Sequence, residues 1–190
     1  VVSDKELDQL SDVRTSQGVL AVVERVFISE DELVDGIGPE STVLALDGVQ
    51  DPGNVGTILR TAAWFGAEAL VAGSGTAGLY GPKVMRAAAG GHWDLDLLRT
   101  SDLPELLRRL QQAGVHLYGA DLQGVRAERW TPPRPSGLIL GSEAHGLSAE
   151  VEALLNDTVA IPGSPKRRGA ESLNVAVAAG ILVYEWIGAA

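Results

Sequence analysis

From residue 43 onward the chain alternates two patterns: short continuous apolar runs, and longer stretches whose apolar residues return every three or four positions. Val43-Leu44-Ala45-Leu46-Asp47 is of the first kind, the signature of a strand covered on both faces. Asp51-Pro52-Gly53-Asn54 reads as a turn and a helix start. Val55, Ile58, Leu59, Ala62 and Ala63 follow at helical spacing and predict a helix with one apolar face. Further strands are predicted at residues 69–72, 115–120, 137–140 and 158–161, and further helices at 83–89, 103–113 and 148–155. The helix over 103–113 turns Arg108, Arg109, Gln111 and Gln112 to water, and Ser148 is the expected N-cap of the one over 148–155. The last predicted helix, 172–187, is apolar nearly all round, as a helix buried in a core or at a subunit interface is. Ahead of residue 43 the pattern is weaker. Residues 19–27 are a β-branched apolar run that predicts a strand, residues 29–39 are acidic and turn-rich like a linker, and residues 1–17 are polar without an apolar period.

Strands alternating with helices predict an α/β fold with a mostly parallel sheet. Such sheets bind ligands beyond the carboxyl ends of their strands. The loops of interest therefore follow Asp47, Ala72, Ala120, Leu140 and Ile161.

Composition narrows the function classes. With 190 residues, 45% of them hydrophobic, the chain is long enough for one core-bearing domain. Residues 41–190 read as that domain. Residues 1–40 read as the tail of a preceding substrate-binding domain plus a linker, since the chain opens at Val1 and its one methionine is Met85. The absence of cysteine excludes a disulfide framework, a thiolate metal site and a cysteine nucleophile, and agrees with a cytoplasmic protein. The longest apolar stretch, residues 175–184, is well short of the ~20 residues that cross a bilayer, so no membrane is expected. His92, His116 and His145 lie far apart without paired carboxylates, so no metal is expected. A net charge of −10 speaks against nucleic acid as a partner of the chain as a whole. Contact with any nucleic acid would then require a local cluster of basic residues or an additional domain.

Familiar nucleotide and hydrolase motifs are missing. Gly48 to Gly56 lacks the lysine of a phosphate-binding loop, Gly73-Ser74-Gly75 does not continue as a dinucleotide fingerprint, and no Gly-x-Ser-x-Gly elbow occurs. Three other segments carry candidate chemistry. Asn54 opens a helix that carries Arg60; taken alone these are a cap and a solvated arginine. Leu140-Gly141-Ser142-Glu143-Ala144-His145-Gly146 follows a strand, and Gly141 permits close approach of a ligand to the backbone. Ile161-Pro162 leads into a loop with Lys166, Arg167 and Arg168, and then into Ser172-Leu173-Asn174-Val175. Capping explains Ser172 well, but it explains Asn174 at the start of an otherwise apolar helix less well.

Taken together and in this order, the segments resemble the three motifs of the SpoU (TrmH-like) family of RNA 2′-O-ribose methyltransferases. They appear as Asn54…Arg60, Gly141-x-Glu143-x-x-Gly146 and Ser172-Leu173-Asn174-Val175, and residues 82–90 also look like a family feature. The resemblance covers about residues 44–186. It implies a SPOUT-class fold with a deep C-terminal trefoil knot, a homodimer, and S-adenosylmethionine as cofactor. It also implies a preceding RNA-binding domain, a type that goes with 23S ribosomal RNA. By motif match, Leu140, Gly141, Ile161 and Leu173 hold the cofactor, and Asn54, Arg60, Glu143, Ser172 and Asn174 are the active-site positions, with Arg60 the family's proposed base. Arg60, Lys83, Arg86, Lys166, Arg167 and Arg168 are the expected phosphate contacts. The sequence departs from the pattern at Ala176, where the family often has serine, and in the loop 163–170, which is longer and more basic. Three alternatives remain: a transfer-RNA ribose methyltransferase, a knotted methyltransferase acting on a base, and a catalytically silent RNA-binding protein.

Overall fold

The computed structural model describes residues 2–11, 18–166, 169 and 171–188. Six strands form one parallel sheet: β1 (Thr42–Asp47), β2 (Ala69–Ala72), β3 (Asp96–Arg99), β4 (His116–Arg126), β5 (Ser136–Gly141) and β6 (Asp157–Ala160). The helices are α1 (Asp4–Leu10), α2 (Glu30–Asp35), α3 (Pro52–Phe65), α4 (Pro82–Ala88), α5 (Leu103–Gln112), α6 (Ala149–Glu152) and α7 (Val175–Val183), the last continued by a π-helical turn, Tyr184–Gly188.

The sheet order is β3-β2-β1-β5-β4-β6. The chain leaves β1 toward one edge and later builds β4, β5 and β6 on the other side. β1 and β5 are therefore neighbours whose connections run in opposite directions, and such a reversal opens a crevice at the carboxyl ends of the strands.

Why β1 reads as a continuous apolar run is plain from its two faces. Leu44 and Leu46 join Leu70, Leu138 and Leu140 in a core closed by α3 and α7. Val43 and Ala45 face the other way, into a core with Val71, Ile139 and the α5 leucines. Both faces are covered, so period-two alternation disappears from the sequence.

Several expectations need correction. Residues 19–27 form no strand; they belong to no regular element and are exposed, with Val22 93% accessible. β-branched residues favour strands only where a partner backbone and a packed face exist; here the end of the stretch is held by the Tyr80 hydroxyl, which donates to the Val26 carbonyl at 2.7 Å, and by the Ile28 N–H, which donates to the Leu97 carbonyl of β3 at 3.0 Å. The predicted linker over 29–39 contains α2, started by a capping box between Ser29 and Glu32. Leu33 of α2 is buried in the second core, and Arg109 of α5 bonds Glu30 at 3.3 Å and Asp31 at 2.5 Å. The Asp31 carboxylate holds the Arg109 guanidinium above its usual range. β3 escaped the pattern because an edge strand of four residues offers only Leu97 and Leu98 to the core. The last helix begins at Val175, not Ser172, because Asn174 caps it. Residues 1, 12–17, 167, 168, 170, 189 and 190 lie outside the described residues, and with them part of the predicted polar tail, whose residues 4–10 form α1.

Candidate active site

The crevice between β1 and β5 gathers side chains from three loops. The carboxylate of Asp47, at the end of β1, accepts the Ser148 N–H at 2.7 Å and ties the loop after β5 to β1. Asp51 caps α3: its Oδ1 accepts the Asn54 N–H at 2.8 Å, and Pro52 occupies the first turn, where a missing N–H costs nothing. Asn54 is thus not the cap the simplest reading made it, and its amide is free for other partners.

Both ends of that amide are engaged. Asn54 Nδ2 donates to Glu143 Oε1 at 2.5 Å, and Asn54 Oδ1 accepts from Asn174 Nδ2 at 3.0 Å. Asn174 in turn accepts the N–H groups of Ala176 and Val177 at 3.0 and 3.2 Å. One asparagine therefore caps α7 and reaches across to α3, which explains a polar residue at the start of an apolar helix. Glu143 is presented by a tight loop in which Ser142 and Gly146 exchange N–H to C=O bonds, both 2.9 Å. Gly141 begins this loop with backbone packed so closely on Gly146 and Leu147 that a Cβ has no room.

Arg60 lies six residues beyond Asn54, roughly 9 Å further along α3 at 1.5 Å per residue. It is exposed, and its side chain makes no hydrogen bond or ion pair with any described residue. Ser172 is also exposed, and its side chain bonds no described residue; the capping role expected of it belongs to Asn174. Of the cofactor positions, Leu140 is buried, Gly141 and Ile161 are half-buried, and Leu173 is 48% exposed. Lys83 and Arg86, both exposed, line a cavity of about 400 Å³ that also touches Pro52 at the start of α3. Lys166 is exposed on the loop after β6, and Arg167 and Arg168 lie outside the described residues. The reading of the sequence missed Asp47 and Asp51; a carboxylate ending a buried strand, or directly before proline at a helix start, was the available signal. No group of ligating residues capable of holding a metal occurs among the described residues, and no helix among them is long and apolar enough to cross a membrane.

The model of the family described as "SpoU rRNA Methylase family" matches residues 41–184. The chain belongs to the SpoU rRNA methylase family. This SpoU chain is 38% identical to the 23S rRNA (guanosine(2553)-2′-O)-methyltransferase RlmP of Bacillus subtilis, over 99% of the chain and 72% of that protein. A solved TrmH-family RNA methyltransferase from Porphyromonas gingivalis shares 41% identity at a TM-score of 0.74, covering 81% of this chain and 62% of that one. The AdoMet-bound rRNA methyltransferase from Sinorhizobium meliloti superposes at a TM-score of 0.83 with 29% identity, over 97% of this chain and 69% of the other. The parallel α/β sheet of this SpoU chain is thus the SPOUT-class fold, the class with the C-terminal trefoil knot.

Proposed function

We propose that this SpoU-family chain transfers the methyl group of S-adenosylmethionine to a ribose 2′-hydroxyl of ribosomal RNA, with 23S RNA as its substrate. The observation that carries this reading is Asn54 locked between Glu143 and Asn174, with Arg60 on the same helix, at the carboxyl ends of β1 and β5. All three family motifs meet there, and the relatives named for 23S ribose methylation support the choice of substrate. The reading takes residues 41–190 as the transferase unit and 1–40 as serving substrate binding, in a cytoplasmic protein.

The chain suits the methyl donor. Between β6 and Asn174, the cap of α7, the described residues belong to no helix or strand, so, apart from the Lys166 N–H that donates to Ser164 Oγ at 3.2 Å, their backbone groups lie outside any regular ladder and can serve a ligand. The half-buried Ile161 and the half-exposed Leu173 offer apolar surface, and the buried Leu140 backs it from the core next to the close-packed Gly141. S-adenosylmethionine, when bound, supplies an already activated methyl group. The protein's task is then to align the hydroxyl with it and to manage charge. Arg60 stays protonated in nearly any setting. It therefore clamps the phosphate beside the target ribose and stabilises negative charge developing on the 2′-oxygen. Asn54 and Asn174 orient the ribose, and Glu143 fixes Asn54 rather than Arg60.

Incubation with labelled methyl donor and 23S RNA, followed by digestion to nucleosides, tests the reaction. Label in a 2′-O-methylnucleoside is expected; label in a base, or none, excludes the reading. Calorimetric titration is expected to find one donor site per chain, and Leu173→Arg is expected to abolish it, because the substitution puts an unpaired charge on the apolar wall. Unchanged binding by that variant removes Leu173 from the site.

Lys83 and Arg86 belong to the phosphate-contacting surface. Replacing both by alanine is expected to reduce the slope of log K for RNA against log salt by about 1.4–1.8, at roughly 0.7–0.9 per contact. An unaltered slope places the RNA elsewhere. The functional unit is a homodimer. Val177, Ile181 and Tyr184 support this, since they leave one side of α7 apolar and 38–52% exposed. Light scattering is expected to give twice the chain mass, and the single-chain mass counts against it.

A further inference from the structure

The chain has four tryptophans, and the fold treats them in two ways. Trp130 and Trp186 are buried and stack with ring centroids 6.3 Å apart. Trp64 and Trp93 are 82% and 65% exposed. Neither of these two rings packs on an aromatic or a cation among the described residues, and neither indole N–H donates to one. Single apolar residues scattered over a surface are ordinary, but two indoles on one stretch of it call for a partner.

Trp64 lies four residues after Arg60 on α3, so the two side chains share a face, roughly 6 Å apart along the helix axis. Helical side chains lean toward the N-terminus of their helix, which inclines the Trp64 ring back over the turn that carries Arg60. Trp93 closes a 3₁₀ turn, Gly91–Trp93, packed on the same stretch of α3: a Cβ on Gly91 would fall 3.3 Å from the Arg60 Cα and 3.1 Å from the Ala63 Cβ. This face is locally basic. From Pro52 to Trp93 the sequence carries Arg60, Lys83 and Arg86, all exposed, against a single carboxylate, Glu68, in a chain of net charge −10. Glu68 and Asp94 mark its border, just ahead of β2 and β3. The face also differs from the exposed side of α7. Trp64 is turned about 100° round α3 from Phe65, whose ring packs on Tyr184 at 5.8 Å. A polyanion with flat apolar bases suits cations and indoles together better than a second copy of so acidic a chain does.

We propose that the indole of Trp64, bordered by Trp93, stacks on an unpaired base of the RNA, an inference that rests on the methyl-transfer reading of this site. The strand then follows α3: the target ribose lies at the Asn54 end, its phosphate at Arg60, and the base of an adjoining nucleotide on Trp64. An indole accepts the π-face of any base, so the contact is indifferent to sequence. It is not indifferent to structure. A base inside a duplex has both faces covered by its neighbours, so stacking on Trp64 selects RNA in which the nucleotides around the target are unpaired. Holding the adjoining base also sets the register of the strand, and with it the 2′-hydroxyl that meets the methyl donor.

Binding of 23S RNA at fixed salt tests this, with wild type beside Trp64→Ala and Trp64→Phe. Trp64→Ala is expected to weaken binding by about 5- to 150-fold, the range for one stacked base, and Trp64→Phe to recover most of that loss. The slope against salt is expected to stay as it is, since no charge is removed. Melting temperature and affinity for the methyl donor are also expected to hold, because the ring is exposed. Single-stranded oligoadenylate is expected to quench the tryptophan fluorescence of wild type more than that of Trp64→Ala, and a fully paired RNA duplex to quench neither. A Trp64→Ala protein that binds 23S RNA within twofold of wild type, or that oligoadenylate quenches as strongly, overturns the proposal while methylation by wild type leaves the methyl-transfer reading standing. A Trp64→Ala protein whose mass falls to that of a single chain also overturns it, since the ring then serves contact between copies. Wild-type protein that transfers no methyl group overturns the methyl-transfer reading, and the role of Trp64 with it.

Discussion

Arg60→Ala is expected to lower single-turnover methyl transfer by about 10²–10³-fold, the range for removing one group that stabilises developing charge. Folding and donor binding are expected to survive. The side chain is exposed and pairs with no described residue, and the buried face of α3 is built from Val55, Ile58, Leu59 and Ala62, which the substitution leaves alone. Alanine is also at least as good a helix former as arginine. Affinity for RNA is expected to fall modestly, because one phosphate contact is lost among several. Arg60→Lys is the sharper comparison. It keeps the charge but loses the planar fork that grips two oxygens at once, so a partial loss with an unshifted pH profile is expected. If Arg60 were itself the base, the lysine variant would move the profile, since an ammonium gives up its proton more readily than a guanidinium. An alanine variant within about threefold of wild type removes Arg60 from the chemistry altogether.

Much of this arrangement was legible in the chain because each part has a local cause. β1, β2 and β5 are short runs such as Leu44 to Leu46, made continuous by burial on both faces. The helical spacing of Val55, Ile58 and Leu59 survives as the buried face of α3. The motifs were recognisable because each follows a strand, where a parallel sheet places its ligand. What stayed illegible depends on partners distant in sequence. The bond between Asn54 and Asn174 joins residues 120 positions apart, and no periodicity reports it. Capping was assigned to Asn54 and Ser172, each a good cap by type, because local rules do not show that Asp51 and Asn174 take those places. Residues 19–27 have strand composition without a partner strand, and composition cannot reveal that. The knot came from family resemblance alone, since open sheets are the ordinary outcome of the same pattern.

Gly141→Ala is expected to be the most damaging change of a single methyl group. Gly141 ends β5 in register with Asp47 of β1, at the mouth of the crevice. A Cβ there falls within the backbone of Gly146 and Leu147, atoms that cannot swing aside as a flexible side chain does. The loop must open to admit it. Opening breaks the two 2.9 Å bonds between Ser142 and Gly146, and it draws Glu143 away from Asn54. Overpacking of this kind costs about 1–3 kcal/mol, enough to lower the melting temperature by several degrees in a domain of this size. The functional loss is expected to be larger than the loss of stability, because the same loop presents Glu143 and borders the donor site. Gly78→Ala is the matched control: nothing lies within 4 Å of the position its methyl would take. Thermal melts and donor titration of both variants decide the matter. Loss of donor affinity in Gly141→Ala, with Gly78→Ala unaffected, ties the tight loop to the site. A Gly141→Ala protein with native melting and native donor affinity means that the loop relaxes freely, and then its closure does not hold Glu143 on Asn54.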